Sequence, residues 1–231
     1  MRESEAAAIV PAYNEEASVG AVVRTLVSSG AFREVLVVDD GSSDRTAEKA
    51  QSAGARVIRL ETNMGKGAAI SRGAGATDSR VVCFFDADLV RLAPEHVLAL
   101  VRPVADGKVV MNVGLVDRGA AANAIARRLP LVSGQRAMLK EVLDLVPRAH
   151  LTGYGVEVAL NFACKANGLR VGVIGLPGVS VVRKTQKVGL WRGLLQYARM
   201  WFWVGIWMIR VWLDRRHFVP SRGLASAARH Q

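Results

Sequence analysis

Two carboxylates spaced one residue apart, Asp86 and Asp88, follow directly on an apolar run in the sequence VVCFFDADL at residues 81–89. The five apolar residues predict a strand buried on both faces of a mostly parallel sheet. The carboxylates then lie at its carboxyl end, the edge at which open α/β sheets bind their ligands. Oxygen ligands at this spacing suit Mg²⁺ or Mn²⁺ holding a diphosphate, although the same pair also fits a solvated turn or a helix N-cap.

Three further predicted strands also end in polar residues, which brings four such groups to one edge of the sheet. They are Tyr13 and Glu15 after residues 7–10, Asp39 and Asp40 after residues 34–38, and Asn63 and Lys66 after residues 56–60. The glycines on either side of Lys66 allow backbone N–H groups and an ammonium to approach an anion such as a phosphate. The acidic pair at 39 and 40 suits hydrogen bonds from a nucleobase or a ribose. These groups together indicate a nucleotide site.

The spacing of the elements predicts how these loops are positioned. Strands alternate with amphipathic segments at a pitch typical of a parallel sheet with helices on its faces. We expect Asn14 to cap the first helix, and we expect a later helix with Met138 and Val142 on its apolar side. The first strand is followed by no Gly-x-Gly-x-x-Gly, and the glycines around Lys66 do not have P-loop spacing. This argues against a nicotinamide dehydrogenase and a nucleoside triphosphatase.

Four ordered segments resemble the motifs of the family 2 glycosyltransferases, GT-A enzymes that transfer a sugar from a nucleotide donor with inversion. They are IVPAYNEE at residues 9–16, VVDDGSSD at 37–44, NMGKGAA at 63–69 and FDADL at 85–89. The resemblance covers roughly residues 6–185. It implies an α/β GT-A nucleotide-diphospho-sugar transferase fold, with a Rossmann-like, mostly parallel sheet and helices on both faces.

The resemblance also implies roles for individual residues on the donor side. The nucleobase and ribose pocket is expected at Pro11, Ala12, Tyr13 and Glu15, with one of Asp39 and Asp40 binding the base. Lys66 is expected near the nucleotide. Asp86 and Asp88 would form the DxD pair that binds Mg²⁺ or Mn²⁺, with Asp88 as a catalytic residue.

The acceptor side is expected at Gln135 and Arg136. Their sequence Ser-Gly-Gln-Arg-Ala is similar to the acceptor-side stretch of members that resemble dolichyl- and polyprenyl-phosphate-mannose synthases. Arg136 would face a phosphate there, with Arg183 as a second cation. Alternatively, Arg136 caps or pairs at the surface.

Glu157 lies in the first turn of a predicted helix, where two interpretations remain open. The helix dipole alone favours an acid at this position. The resemblance implies a catalytic residue, a general base on an acceptor hydroxyl. Many relatives carry a Glu-Asp pair, but Val158 follows Glu157 here. With an anionic acceptor, Glu157 would position the acceptor and would not need to remove a proton from it.

His150 is either a third metal ligand or an exposed loop residue.

The C-terminal region differs in composition from the rest. All five tryptophans lie between Trp191 and Trp212, on a segment whose polar residues form one narrow stripe at helical spacing. Its uninterrupted apolar stretch, residues 200–209, is about half of what a bilayer span needs. We expect a helix at the membrane interface, and the alternative is a helix packed in the core or in a homodimer interface.

The expected domains are a GT-A domain at 1–185, an amphipathic, Trp-rich helix at 186–219 and a disordered tail at 220–231.

Positive charge is concentrated in the same region. The net charge is +11, and from Arg183 onward there are ten basic residues and one acid, so the first 182 residues carry only +2. This distribution argues against a nucleic-acid-binding protein and favours an anionic membrane surface as a partner.

The apolar residues 6–10 are too short for a signal segment, and Pro11 follows them. We therefore expect a cytoplasmic protein, peripheral on the inner face of the cell membrane.

The sequence thus predicts a metal-dependent, inverting glycosyltransferase that moves a sugar from a UDP- or GDP-sugar to polyprenyl phosphate. One alternative is a soluble, glycan or glycolipid hydroxyl acceptor. Another is a non-catalytic, nucleotide-sugar-binding membrane scaffold. A sugar-phosphate nucleotidyltransferase is disfavoured, because residues 11–16 contain neither a glycine nor a basic residue.

Overall fold

The computed structural model describes residues 5–117, 133–151, 155–181, 205–206, 209–214, 216 and 218. The strands of this part of the chain are β1 (Ala6–Ala12), β2 (Glu34–Asp39), β3 (Arg56–Arg59), β4 (Val81–Phe84), β5 (Leu89–Val90), β6 (Met111–Val116), β7 (Gln135–Leu139), β8 (Val171–Leu176) and β9 (Ser180–Val181). The longer helices are α1 (Val19–Ser28), α2 (Thr46–Ser52), α3 (Lys66–Gly75), α4 (Pro94–Ala105) and α5 (Gly155–Ala166). Two 3₁₀ helices occupy Lys140–Leu145 and Arg148–His150.

Seven strands form one sheet in the order β3-β2-β1-β4-β7-β6-β8. The β1–β2, β1–β4, β2–β3 and β6–β8 pairs are parallel, and β7 is antiparallel to both of its neighbours. The predicted mostly parallel α/β sheet is therefore confirmed. The chain runs outward from β1 to β3 and then returns to β4 on the other side of β1. This reversal creates the crevice at which open α/β sheets bind ligands.

The central strands of the sheet are buried because helices cover both of its faces, whereas the edge strands β3 and β8 are partly exposed. Every residue of β4 is buried, as are all residues of β1 except the half-buried Pro11. α1 packs against α2 and α4, whereas α3 packs against β1 and β2. α1 and α2 connect β1 to β2 and β2 to β3, toward one edge of the sheet. α3 connects β3 back to β4, in the opposite direction across the sheet. Right-handed crossovers therefore place α3 on the other face.

The segment after residue 137 is a strand followed by a 3₁₀ helix, and the predicted helix is wrong. β7 spans Gln135–Leu139, and the 3₁₀ helix spans Lys140–Leu145. Met138 and Val142 are both fully buried, as an apolar helical face would be. Met138 is instead paired between Val82 of β4 and Met111 of β6. Pairing with two neighbouring strands overrides the local pattern at this position.

A small second sheet lies beside the large one. Leu89 pairs with Val181 and Val90 with Ser180 in an antiparallel β5–β9 ribbon. Leu89 directly follows Asp88, so this ribbon fixes the chain immediately after the predicted metal loop.

The C-terminal region is described only in part, so its predicted domain boundaries at 185 and 219 remain predictions. Residues 209–213 are helical, with Val211 1% exposed against the body of the protein. Phe218 packs its ring 4.9 Å from that of Phe162 on α5 and 5.6 Å from that of His150. None of the helices in the described segments is both long and apolar enough to cross a membrane. Arg183 and the tail at 220–231 lie outside the described residues.

Candidate functional site

Lys66 lies at the centre of the site, where it joins three elements. Its Nζ donates to Asp86 Oδ1 at 2.7 Å and to Glu157 Oε1 at 3.0 Å. Lys66 is the first residue of α3, Asp86 follows β4, and Glu157 lies in the first turn of α5. Burial by itself would lower the pKa of Lys66, but the carboxylates of Asp86 and Glu157 outweigh it and raise that pKa well above its ordinary value. The ammonium therefore stays charged at every physiological pH.

The start of α3 is positioned by Asp40. Its two carboxylate oxygens accept the backbone N–H groups of Met64 and Gly65, each at 2.8 Å. Gly65 adopts a φ of 89°, a conformation that favours glycine. Asp40 thus orients the turn that delivers Lys66, and it is the less suitable of the two acids for binding a base.

Replacing Asp40 by alanine is expected to lower the free energy of unfolding by about 1–3 kcal/mol, because two partly buried N–H groups lose their acceptor. We expect the affinity for the donor to fall as well, since the turn carries Lys66. Thermal unfolding and titration with a nucleotide measure the two effects. Asp106→Ala is the control, because Asp106 is an exposed acid that contacts Lys108. An Asp40→Ala protein as stable as this control would contradict the assignment.

Asp39 is the better candidate for contact with a base. It is completely buried, and its Oδ1 accepts the backbone N–H of Ser42 at 3.0 Å. Its Oδ2 lies 3.4 Å from Arg59 Nε and makes no hydrogen bond within the described residues. Arg59 is paired with Asp39 across β2 and β3, and it also donates to the Ser42 carbonyl at 2.9 Å.

A hollow of about 260 Å³ opens beside this pair, at the ends of β2 and β3. Its walls are Gly41, Ser42, Arg59, Leu60 and Glu61. A buried acceptor next to a guanidinium donor suits a base edge that offers an N–H beside a carbonyl. Arg59 was not singled out from the sequence, although its place at the end of a strand beside Asp39 could have indicated it.

The loop after β1 is attached to the loop after β2. The Asn14 backbone N–H donates to Ser42 Oγ at 2.9 Å, and Asn14 Oδ1 accepts the Ser43 backbone N–H at 2.9 Å. Asn14 has a φ of 54°. It therefore joins two loops and does not cap α1, which begins five residues later at Val19, so that prediction is wrong.

The predicted pocket residues of this first loop lie at the same edge of the sheet. Ala12 is buried, and its carbonyl accepts the Asp40 N–H at 2.8 Å; Pro11 is half-buried. Glu15 is half-buried and accepts a hydrogen bond from Ser18 Oγ at 3.1 Å. Tyr13 is 47% exposed. Of the four, Tyr13 offers the surface on which a base can stack.

The residues after β4 fit a divalent cation that also binds a substrate phosphate. Asp86 and Asp88 are both half-buried at the carboxyl end of the strand. Among the described residues, no group of three or more His, Cys, Asp or Glu side chains could hold a metal ion. Mg²⁺ and Mn²⁺ do not require such a group, because one or two carboxylates together with phosphates and waters complete their coordination. His150 lies elsewhere, 3.0 Å from Asp214, and is only 3% exposed, so both the third-ligand and the exposed-loop interpretations are wrong.

Gln135 and Arg136 are both 1% exposed, so their contact with an acceptor stays a prediction and has no open surface at these side chains to support it. Gln135 Nε2 donates to Asp86 Oδ2 at 2.7 Å. Arg136 points beneath α5, where it donates to Asn161 Oδ1 at 2.7 Å and to the Ser133 carbonyl at 2.9 Å. Burial lowers the pKa of Arg136, and the charge of Glu157 partly opposes this shift. Because β7 is an inner strand of the sheet, both side chains are enclosed by the protein, and Gln135 contacts the Asp86 carboxylate from inside.

A model of the family described as glycosyl transferase family 2 matches residues 7–165 of this chain. The glucosyl-3-phosphoglycerate synthase of Mycolicibacterium paratuberculosis is 32% identical over 190 residues, covering 66% of this chain and 57% of the relative. The chain therefore matches little more than half the length of that protein. The undecaprenyl-phosphate 4-deoxy-4-formamido-L-arabinose transferase of Pseudomonas aeruginosa is 36% identical over 124 residues, covering 49% of this chain and 36% of the relative.

Solved structures are similar over most of the chain. The Mycobacterium tuberculosis glucosyl-3-phosphoglycerate synthase in complex with Mn²⁺, UDP-glucose and phosphoglyceric acid has a TM-score of 0.65 at 27% identity. The similarity covers 80% of this chain and 74% of that one. The same enzyme with Mn²⁺, UDP and glucosyl-3-phosphoglycerate has a TM-score of 0.69 at 26% identity, covering 94% and 81%. In these two structures the mycobacterial enzyme is bound to Mn²⁺, to UDP or UDP-glucose, and to phosphoglyceric acid or glucosyl-3-phosphoglycerate.

Proposed function

Because the chain belongs to glycosyl transferase family 2, we propose that it transfers a sugar, with inversion, from a nucleotide-sugar donor to an acceptor that carries a phosphate. The observation that carries this proposal is the Lys66 ammonium, which links the DxD carboxylate of Asp86 to the buried carboxylate of Glu157. This arrangement fixes an ammonium at the edge of the sheet where a diphosphate would bind; the carboxylates of Asp86 and Glu157 outweigh its charge, so a divalent metal would supply the rest of the neutralisation. A leaving diphosphate needs such a charge, since negative charge develops on it as the bond to the sugar breaks.

The donor is a UDP-sugar in this proposal. Asp39 Oδ2 would accept an N–H of the base, the Arg59 guanidinium would donate to an adjacent carbonyl, and Tyr13 would stack on the ring. Uracil and guanine both present an N–H next to a carbonyl. The UDP and UDP-glucose complexes of the mycobacterial relative favour uracil.

Asp88, with Asp86 beside it, would hold Mg²⁺ or Mn²⁺ against the diphosphate. The bound metal supplies Lewis-acid neutralisation of the phosphate oxygens. Lys66 supplies a second, resident charge. Its contacts with Asp86 and Glu157 keep the ammonium oriented before any ligand arrives, so little reorganisation is needed during the reaction.

The transfer is a single displacement at the anomeric carbon of the sugar. An acceptor oxygen forms a bond to this carbon on the face opposite the nucleotide, and the bond to the β-phosphate oxygen breaks with its electron pair. When the acceptor oxygen belongs to a phosphate it is already anionic, so no base is required. Glu157 then acts by holding Lys66, consistent with its burial and its 3.0 Å contact. A hydroxyl acceptor would instead need Glu157 to release Lys66 and take a proton.

We favour a polyprenyl phosphate as the acceptor, which would place the protein on the inner face of the cell membrane. Ile209, Trp212 and Leu213 lie at helical spacing and are each about 60% exposed, while Val211 on the other side is buried. An outward apolar face that includes a tryptophan suits the membrane interface, and the basic residues after 182 would be attracted to anionic lipid. The similarity to an undecaprenyl-phosphate sugar transferase also favours a polyprenyl-phosphate acceptor. The phosphoglycerate of the other relatives is the soluble alternative.

The test uses the full chain with Mn²⁺ and a panel of UDP- and GDP-sugars. At a free ligand concentration about a hundred times Kd, the right donor stabilises the protein by about 2.7 kcal/mol. The expected rise in Tm is about 5–10 °C. Transfer of radiolabelled sugar is then measured with undecaprenyl phosphate in anionic vesicles, with 3-phosphoglycerate and without an acceptor.

Transfer to the vesicles supports the whole proposal. Transfer to 3-phosphoglycerate alone supports the donor but overturns the lipid acceptor. A GDP-sugar that stabilises the protein more than any UDP-sugar overturns the choice of base. Metal-dependent binding with no turnover on any acceptor favours the non-catalytic scaffold instead.

A further inference from the structure

The first residues of β7 lie directly against the DxD carboxylate. In the antiparallel register Arg136 is opposite Phe84, so the chain before it passes beside the residues that follow β4. A methyl group placed on Gly134 would overlap both carboxylate oxygens of Asp86. Only glycine leaves room for the carboxylate here, so the backbone just before β7 forms one wall of the Asp86 site.

Gln135 contacts the same carboxylate through its amide. Its Nε2 donates to Asp86 Oδ2 at 2.7 Å, while Lys66 Nζ donates to Oδ1, also at 2.7 Å. The two donors reach different oxygens of one carboxylate group, and together they fix its rotation about the Cβ–Cγ bond. A single donor would restrict that rotation less.

The Gln135 amide is itself held in one orientation. Ser133 Oγ lies 3.1 Å from Gln135 Oε1 and also contacts the Gly114 carbonyl on β6, and its single hydrogen is donated to one of these two acceptors at a time, so the amide orientation follows from the contact with Asp86. If the amide were flipped, its oxygen would face the carboxylate of Asp86, and two acceptors would repel each other. Gln135 is 1% exposed on an inner strand, so it has little freedom to move. This rigidity distinguishes it from Lys66, whose side chain is 29% exposed.

We propose that Gln135 is a positioning residue for the donor and metal site, acting through Asp86, and not a residue that binds the acceptor. Its amide sets the direction in which the Asp86 carboxylate would present its oxygens to the metal ion that binds the diphosphate. The inference rests on the proposed function, because it concerns the same site. It differs from the expectation drawn from the sequence, which assigned Gln135 to the acceptor.

The test compares Gln135→Met, which keeps the length of the side chain but has no donor, with Gln135→Glu, which keeps its shape and places an acceptor against Asp86. Partners that orient a metal-site carboxylate typically contribute 10- to 100-fold to metal affinity or activity. We expect each variant to bind UDP with Mn²⁺ at least tenfold more weakly in calorimetry. We also expect kcat to fall and the KM for the acceptor to stay within twofold of the wild-type value.

Gln51→Met is the matched control, because Gln51 is an exposed glutamine on α2. It should bind and turn over like the wild type. Gln135→Asn provides a further check if the methionine variant does not fold, since its shorter amide cannot reach Asp86 and should also bind UDP with Mn²⁺ weakly. Circular dichroism and thermal unfolding identify which variants are folded.

A folded Gln135→Met or Gln135→Glu protein with unchanged UDP–Mn²⁺ affinity and a raised acceptor KM would overturn the inference and restore the acceptor role. The binding measurement does not depend on turnover. If the wild type binds UDP with Mn²⁺ but transfers no sugar, the proposed function fails, while weaker binding by the variants still supports the positioning role.

Discussion

Replacing Asp88 by asparagine is expected to reduce Mn²⁺-dependent sugar transfer by about three orders of magnitude, with the fold unchanged. Asp88 is half-buried in the loop after β4, and the asparagine amide has nearly the same size, so the packing should survive. The amide lacks the negative charge that binds a divalent cation, and the diphosphate then leaves without its main electrostatic stabilisation. Turnover of the UDP-sugar measured over a range of Mn²⁺ concentrations checks this expectation.

The control for this experiment is Asp106→Asn, which makes the same change at an exposed acid after α4. It should retain full activity. The thermal unfolding of the Asp88→Asn protein should lie within about 2 °C of the wild type without ligands, and the stabilisation by UDP with Mn²⁺ should be lost. A rate near that of the wild type would remove Asp88 from the metal site.

Replacing Lys66 by methionine is expected to lower kcat by about two to three orders of magnitude. The substitution removes the resident charge from the diphosphate site and leaves Asp86 and Glu157 facing each other without the ammonium between them. Removing one partner from a group of partly buried charges also destabilises the protein. We therefore expect a lower Tm, in contrast to the Asp88 variant. Single-turnover kinetics and thermal unfolding measure the two effects.

Lys108→Met is the matched control, since Lys108 is 70% exposed and pairs with Asp106 at the surface. It should change neither rate nor stability. Lys66→Arg keeps the charge but has a different shape, so it should restore part of the stability and less of the activity. Full activity of the Lys66→Met protein would contradict the role given to the ammonium.

The pH dependence follows from the direction of the Lys66 shift. Folding raises the pKa of Lys66 above 10.5, its pKa in the unfolded chain. Its contribution to the free energy of unfolding is therefore fully present below pH 10.5, and it is lost only as the pH rises through the higher pKa of the folded protein. Between pH 6 and pH 9, neither the rate nor the Tm should fall because of Lys66.

The convergence of the donor-side residues was predictable from the sequence because it depends on the direction of the strands alone. Parallel strands bring their carboxyl ends to one edge, so the residues after β1, β2 and β4 had to meet there. The role of Asp40 was not predictable in the same way. Two adjacent acids look alike in a sequence, and only the path of the chain shows that Asp40 binds the backbone of residues 64 and 65 while Asp39 lies beside Arg59, which lines the hollow.

The acceptor side was less predictable because its contacts join distant parts of the chain. Lys66 and Glu157 are 91 residues apart, and their contact depends on where α5 packs. Met138 and Val142 have the four-residue spacing of a helix, yet pairing with β4 and β6 makes a strand of the first of them. That pairing also takes the Arg136 side chain inside the protein, which the sequence alone could not show.

The β5–β9 ribbon has a practical meaning for anyone who shortens this protein. Val181 is hydrogen-bonded in register with Leu89, the neighbour of Asp88, so the last strand braces the loop at which catalysis would occur. A truncation designed to discard the hydrophobic C-terminus must therefore keep Ser180 and Val181. A cut placed before them would remove the pairing that holds the predicted metal loop, and the resulting loss of activity could be mistaken for a requirement for the hydrophobic residues that follow.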